Sequence, residues 1–297
     1  MTNYVIALLV TAEIYAILAL GLNVTWGMAG IANLGLAGFM AVGAYTTALA
    51  TKMLGLPISL GMLLAIATSA MFGMLVSIST VRLRGDYLAI VTLGFAEIVR
   101  LVASNETWLT NGTDGIAGIA GPWRGQLTPL QFNLVYLVIT TAFLISALLF
   151  CQRLARAPYG RVLRAIRDDD VLVSVAGKQT LRFKLQAVAI GAGLMGFGGA
   201  VYAHYISYIS PDVFRSLISL YVFLALTVGG TGNNFGAILG SMILIALLEA
   251  SRFVLAFLPT TNAVQLAASR EILIGIALLV VLRLAPEGLL PERIRSQ

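Results

Sequence analysis

Runs of about twenty residues without a charge constrain this chain more than any other feature. Glu13 is the only charged residue ahead of Lys52, and none occurs from Met53 to Val81. A helix rises about 1.5 Å per residue, so roughly 20 apolar residues cross a hydrocarbon core about 30 Å thick. Candidate spans lie near residues 4–22, 26–50, 57–80, 88–103, 131–151, 186–206, 217–230, 234–257 and 270–284. That is about nine, with eight to ten as the range, because the second is Gly-rich and the seventh short; either could be broken or re-entrant. Only 11% of the 297 residues are charged, against about 25% in soluble domains. The expected fold is therefore an all-α integral membrane protein, a polytopic bundle forming one transmembrane domain over residues 1–297 with lipid around it.

The charges that do occur set the orientation. Residues 152–185 carry Arg153, Arg156, Arg161, Arg164, Arg167, Lys178, Arg182 and Lys184, so this loop is expected in the cytoplasm. Arg82 and Arg84, and Arg293 and Arg295 in the C-terminal tail, fit the same side, and the four spans after residue 185 give the required even parity. The side of the N-terminus stays open. Residues 105–130, poor in positive charge, are expected outside. The net charge of +6 follows this topology and does not indicate nucleic acid. No Lys or Arg precedes Lys52, so no signal-peptide n-region is visible and the first span is expected to be kept. Cys151 reads as a packing residue. One Cys and the lone His204 cannot build a typical transition-metal site. His204, beside Tyr202 and Tyr205 at a span end, reads as an interfacial belt residue.

Within the spans, Gly27, Gly30, Gly35, Gly38 and Gly43 recur in the second, and Gly191, Gly193, Gly196, Gly198 and Gly199 crowd the sixth. Small residues let helix backbones approach closely in lipid, so they pack helices, line a path, or both. Residues 26–33 (WGMAGIAN) and 228–235 (VGGTGNNF) each read as opening a Gly-rich helix and hint at an internal repeat. Paired Gly-interrupted segments point to a transport pathway, here through Asn33, Gly35, Gly38, Gly230, Gly232 and Asn233. Glu97 and Arg100 are three residues apart and can pair on one helix face, as can Glu249 and Arg252. Both read first as structural ion pairs. Glu13 has no neighbour in sequence to pair with, so it meets a polar group on another helix or a second subunit.

The basic loop has its own pattern. Residues 160–167 read as a helix with Val162, Leu163 and Ile166 on one side. Asp168, Asp169 and Asp170 can cap the next turn, a short apolar run follows, and Gly177 is a helix stop. Such an elbow needs a partner for its apolar side chains, unless it is only a solvated basic loop. No phosphate-loop motif occurs: Gly177 and Lys178 are followed by Gln179, with no Gly five residues ahead. H-E-x-x-H and G-x-S-x-G are also missing.

Residues 82–100 (RLRGDYLAIVTLGFAEIVR) resemble the signature of the branched-chain amino acid ABC transporter permeases of the LivM type. Further matches follow in that family's order: 113–116 (TDGI), 160–169, 202–205 (YAHY), 209–212 (ISPD), 228–232 (VGGTG) and 285–289 (APEGL). The resemblance implies a channel subunit in a bacterial cytoplasmic membrane, without an ATPase site of its own. It would pair with a second related permease and two ABC ATPase subunits that bind ATP and Mg, and an extracytoplasmic solute-binding protein would feed it. The loop would then be the coupling element that docks on the ATPase, with Arg161, Arg164, Asp168, Asp169 and Gly177 in it and Gly177 as its bend. The chain departs from the family at Leu34-Gly35-Leu36, where relatives commonly read Leu-Gly-His, and at Glu13. Both bear on the substrate, a branched-chain amino acid or a related small polar molecule. An ion-coupled secondary transporter using Glu13 or Glu97, and a membrane scaffold, are the competing readings.

Overall fold

A computed structural model describes residues 2–80, 83, 85–256 and 287–292, with a few positions between 272 and 283. Most of the ninth candidate span, the Ala285 end of the last family match, Arg82, Arg84, Arg293, Arg295 and the Arg252 side chain lie outside the described residues. The chain runs through α1 (Thr2–Leu22), α2 (Leu36–Lys52), α3 (Ile58–Thr80), α4 (Asp86–Asn105), α5 (Thr107–Thr110), β1 (Ile116–Ala117), α6 (Pro129–Arg156), α7 (Pro158–Asp168), α8 (Asp170–Val175), α9 (Thr180–Ile206), β2 (Tyr208–Ile209), α10 (Ser216–Gly229) and α11 (Asn234–Ala256). Five described helices are long and apolar enough to cross a membrane: α1 with its extension, α3, α4, α6 and α9. α10, at 14 residues, rises only about 21 Å. Two-residue strands have no readable period; β1 and β2 nevertheless pair antiparallel, Ile116 opposite Ile209.

α1 is apolar on every side, and from Val10 onward nearly all of it is buried. It stands among α6, α9 and α11, while α9 packs on α2 and α3. The α2–α9 contact is backbone on backbone. A Cβ on Gly43 would stand 2.1 Å from the Gly196 carbonyl oxygen, and one on Gly199 would stand 2.0 Å from that of Met40. The glycines at these positions therefore act in packing.

The expected helix over 26–50 is corrected at its start. α1 instead runs on through a π-helical turn, Asn23–Met28, and residues 29–35 are unwound before α2 begins. The cause is Asn23, which is fully buried and turns its side chain across the bundle. Its Oδ1 accepts from Gly232 N at 2.9 Å, and its Nδ2 donates to Asn234 Oδ1 at 2.8 Å. Residues 228–235 do open a helix, but only at their end. They end α10, turn, and enter α11 only at Asn234. The two Gly-rich segments thus form two helix breaks that touch, and Trp26 stacks on Phe223 beside them at 3.9 Å.

His204 is also corrected. It is fully buried rather than interfacial. Nδ1 donates to the Ala120 carbonyl at 2.6 Å, and Nε2 meets Thr47 Oγ1 at 2.8 Å. The loop carrying Ala120 covers the span end that the sequence suggested was open.

Candidate functional site

The basic loop folds as a two-helix elbow. α6 ends at Arg156, and Ala157 is extended, the conformation a residue before proline favours. Pro158 then starts α7 at its first turn, where its missing N–H costs nothing. Leu163 and Ile166 turn inward and are buried, while Arg161 stays exposed. Asp169 caps α8, its Oδ1 accepting from Val171 N at 2.9 Å and Leu172 N at 3.0 Å. Asp170 receives Lys184 Nζ at 2.6 Å, which fastens α8 to the foot of α9. Gly177 has φ +80°, a left-handed conformation suited to glycine, and it closes α8 with its N–H on the Ser174 carbonyl. The outer side of α8 is bare: Val171, Leu172 and Val175 are exposed, Val175 by 81%.

Behind the elbow, the last turn of α7 rests on both helix breaks. Arg167 Nη1 donates to the Gly27 carbonyl in the first break and to Glu292 Oε2 at 2.8 Å. Its Nε donates to Asp168 Oδ1 at 3.3 Å. Arg164 reaches the other oxygen of Glu292 at 3.4 Å and the Ala155 carbonyl at 3.0 Å. Burial works against the charge on Arg167, but Glu292 and Asp168 hold its pKa above the usual arginine value. Glu292 is itself delivered by backbone pairing at the second break. Leu289 N donates to the Val228 carbonyl at 2.8 Å, and Leu290 N to that of Gly229 at 2.9 Å. A Cβ on Gly230 would lie 2.3 Å from the Leu290 oxygen. Asn233 caps α11 through Phe235 N at 2.9 Å.

The other expected site residues separate. Asn33 is buried, accepts from Gly35 N at 2.8 Å, and borders a cavity of about 440 Å³ shared with Asp168, Asp169 and Lys184. Gly35 and Gly38 face α4; a Cβ on Gly38 would meet Ala96 at 2.9 Å. Glu97 and Arg100 form the expected pair, with Arg100 Nε donating to Glu97 Oε1 at 2.9 Å, and Ser216 Oγ stands 3.4 Å from the other Glu97 oxygen. Glu13 does find its partner on another helix. Thr140 and Thr141 of α6 donate to its two oxygens at 2.5 and 2.7 Å. Sequence reasoning did not single out Asn23, Arg167 or Glu292. They share no local signal, because their partners other than Asp168 lie at least 125 residues away in the chain.

The profile of the family described as branched-chain amino acid transport system / permease component matches residues 4–282. The chain is 37% identical over 264 residues to the high-affinity branched-chain amino acid transport system permease protein LivM of Salmonella typhimurium, covering 80% of this chain and 61% of that protein. It thus spans about three fifths of that relative's length. It is 28% identical over 323 residues to the probable LivM of Methanocaldococcus jannaschii, covering 94% and 91%. It is 24% identical over 249 residues to the LivH permease protein of the Salmonella system, covering 77% and 79%. No solved structure matches.

Proposed function

The chain belongs to the family of branched-chain amino acid transport permease components, and on that premise we propose that it is one of two permease subunits of an ATP-driven importer. Its cargo is a branched-chain amino acid or a related small polar molecule. A solute-binding protein delivers the cargo at the end formed by α5, β1 and β2. Two ATPase subunits, which hold the ATP and Mg, work at the end formed by α7, α8 and the two breaks. The positive charges from Arg153 to Lys184 support a cytoplasmic side for that end.

One observation carries this reading. The elbow presents an apolar face outward on α8 and is tied inward, through Arg167, to both helix breaks. A solvated loop needs neither feature. A push on α8 by an ATPase would reach the Gly27 break and the Gly230 turn together. The ion-coupled alternative loses its best carboxylate, because both oxygens of Glu13 are engaged by α6 hydroxyls.

The test is reconstitution into proteoliposomes with both ATPases, the second permease and the binding protein. Uptake should require ATP. Val175→Asp should lower uptake about tenfold, the loss of roughly 1.4 kcal/mol of docking, with the chain's amount and Tm unchanged. Ion-driven uptake by this chain alone would overturn the reading.

A further inference from the structure

The outward faces of the helices are not alike. α3 has no charged residue, and its exposed side chains include Leu63, Met71, Leu75 and Ile78. α6 turns out Leu134, Val138, Ile145 and Leu149 and is charged only in its last turn. These faces suit acyl chains.

The α4 face does not. Its exposed stripe of Tyr87, Ile90, Val91, Ile98 and Leu101 is flanked by Glu97 and Arg100, whose side chains are 41% and 23% exposed. At 1.5 Å per residue they stand about 16 and 21 Å along a helix that itself spans about 30 Å. The neighbouring chain, residues 210–215, approaches the same depth at its end, where Ser216 meets Glu97. It is irregular, with a short 3₁₀ turn at Pro211–Phe214. It also carries Asp212 and Arg215, paired at 3.0 Å and 71% and 66% exposed. Ions and non-helical backbone at membrane depth occur where protein or water covers them, not against lipid. Gly94 leaves open space where a side chain would stand, which gives a close-packing helix room.

We propose that α4 and the first turns of α10 form the seam with the second permease subunit, with the Glu97–Arg100 and Asp212–Arg215 pairs on the protein-covered side of that seam. This rests on the two-permease reading above. Each pair is neutral, so the occupant needs no net charge. It needs an apolar spanning helix with polar groups at mid-depth, which a related permease has and lipid lacks.

The full complex provides the test. Cys151 is buried, so a cysteine introduced on the surface is the reactive thiol. Ile98→Cys and Gly94→Cys, labelled with a benzophenone maleimide and irradiated in membranes, should form adducts with the second permease. Leu75→Cys on α3 and Ile145→Cys on α6 should give at least about tenfold less protein adduct and label lipid instead. Adducts from Ile98→Cys chiefly with lipid, or with another copy of this chain, would overturn the seam, as would partner adducts arising from α3 or α6. Failure of any second permease to co-purify with the unmodified complex would sink the two-permease reading itself, a result separate from misplacing the seam.

Discussion

Arg167 holds Glu292, the Gly27 carbonyl and Asp168 at once, a geometry that needs the planar guanidinium fork. Charge-assisted hydrogen bonds in folded proteins are worth about 1.5–3 kcal/mol. Arg167 and Glu292 are only 24% and 17% exposed, so screening is partial. Arg167→Ala should therefore cost about 2 kcal/mol in unfolding measured in detergent. Arg167→Lys, which keeps the charge but not the fork, should recover about half of that by the same argument. A double-mutant cycle with Glu292→Ala should show coupling of about 1 kcal/mol or more; additivity would mean that the contact carries no stability. Glu13 gives a prediction of opposite sense. Thr140 and Thr141 also reach the carbonyls of Tyr136 and Leu137 in their own helix, so Glu13→Leu orphans no donor. It should change stability by less than about 1 kcal/mol, since packed apolar residues often replace buried polar groups without loss. Thr140→Val with Thr141→Val leaves the Glu13 carboxyl group buried without these hydrogen-bond partners and should cost about 3 kcal/mol. Equal costs in the two experiments would refute the asymmetry.

At the scale of elements, the α2–α9 contact leaves no room for a methyl group on Gly43 or Gly199, because the atoms met are backbone carbonyls that cannot move aside. Gly43→Ala and Gly199→Ala should each cost about 3 kcal/mol or block assembly, as overpacking does. Gly193→Ala, whose Cβ would meet the Cγ2 methyl of Ile66 at 3.3 Å, should stay within about 1 kcal/mol. Detergent-extracted yield and Tm would separate the two classes. The sequence announced that these helices were Gly-rich, but glycines that pack and glycines that line a path share one spacing. Their roles became visible only when α9 was seen against α2. Residues 160–177 were legible because caps, apolar period and a terminal glycine are local signals, and the structure keeps each one: Asp169 caps, Leu163 and Ile166 turn in, and Gly177 takes a positive φ. His204 and residues 26–33 were misread for the converse reason. An aromatic-flanked histidine at a span end looks interfacial unless the loop that covers it, through Ala120, is known. An apolar Gly-rich run looks helical unless a distant amide, Asn234, is known to draw Asn23 aside.

For the whole molecule, the consequential contact is the one joining the two breaks. Asn23 ties the end of α1 to the turn before α11 through Gly232 and Asn234, and Arg167 sits on both sides of that junction. If α7 is the element an ATPase moves, the junction makes α1 and α11 respond as one body. Cutting it should therefore affect coupling before catalysis. Asn23→Ala removes the acceptor for Gly232 N and the donor to Asn234, while the exposed apolar face of α8 is untouched. In proteoliposomes the ATP turnover should stay within about twofold of the unmodified complex, and cargo carried per ATP should fall about tenfold. That corresponds to a coupling loss of roughly 1.4 kcal/mol, inside the range usual between communicating sites. Asn23→Asp supplies an acceptor for Gly232 N, and the Asn234 amide can rotate to donate to it, so it should keep most of the stoichiometry. A parallel fall of ATP turnover and uptake in Asn23→Ala would show a folding defect. An unchanged ratio with lowered Tm would show that the junction only stabilises the bundle. A lowered ratio rescued by Asp would mean that the two breaks move together.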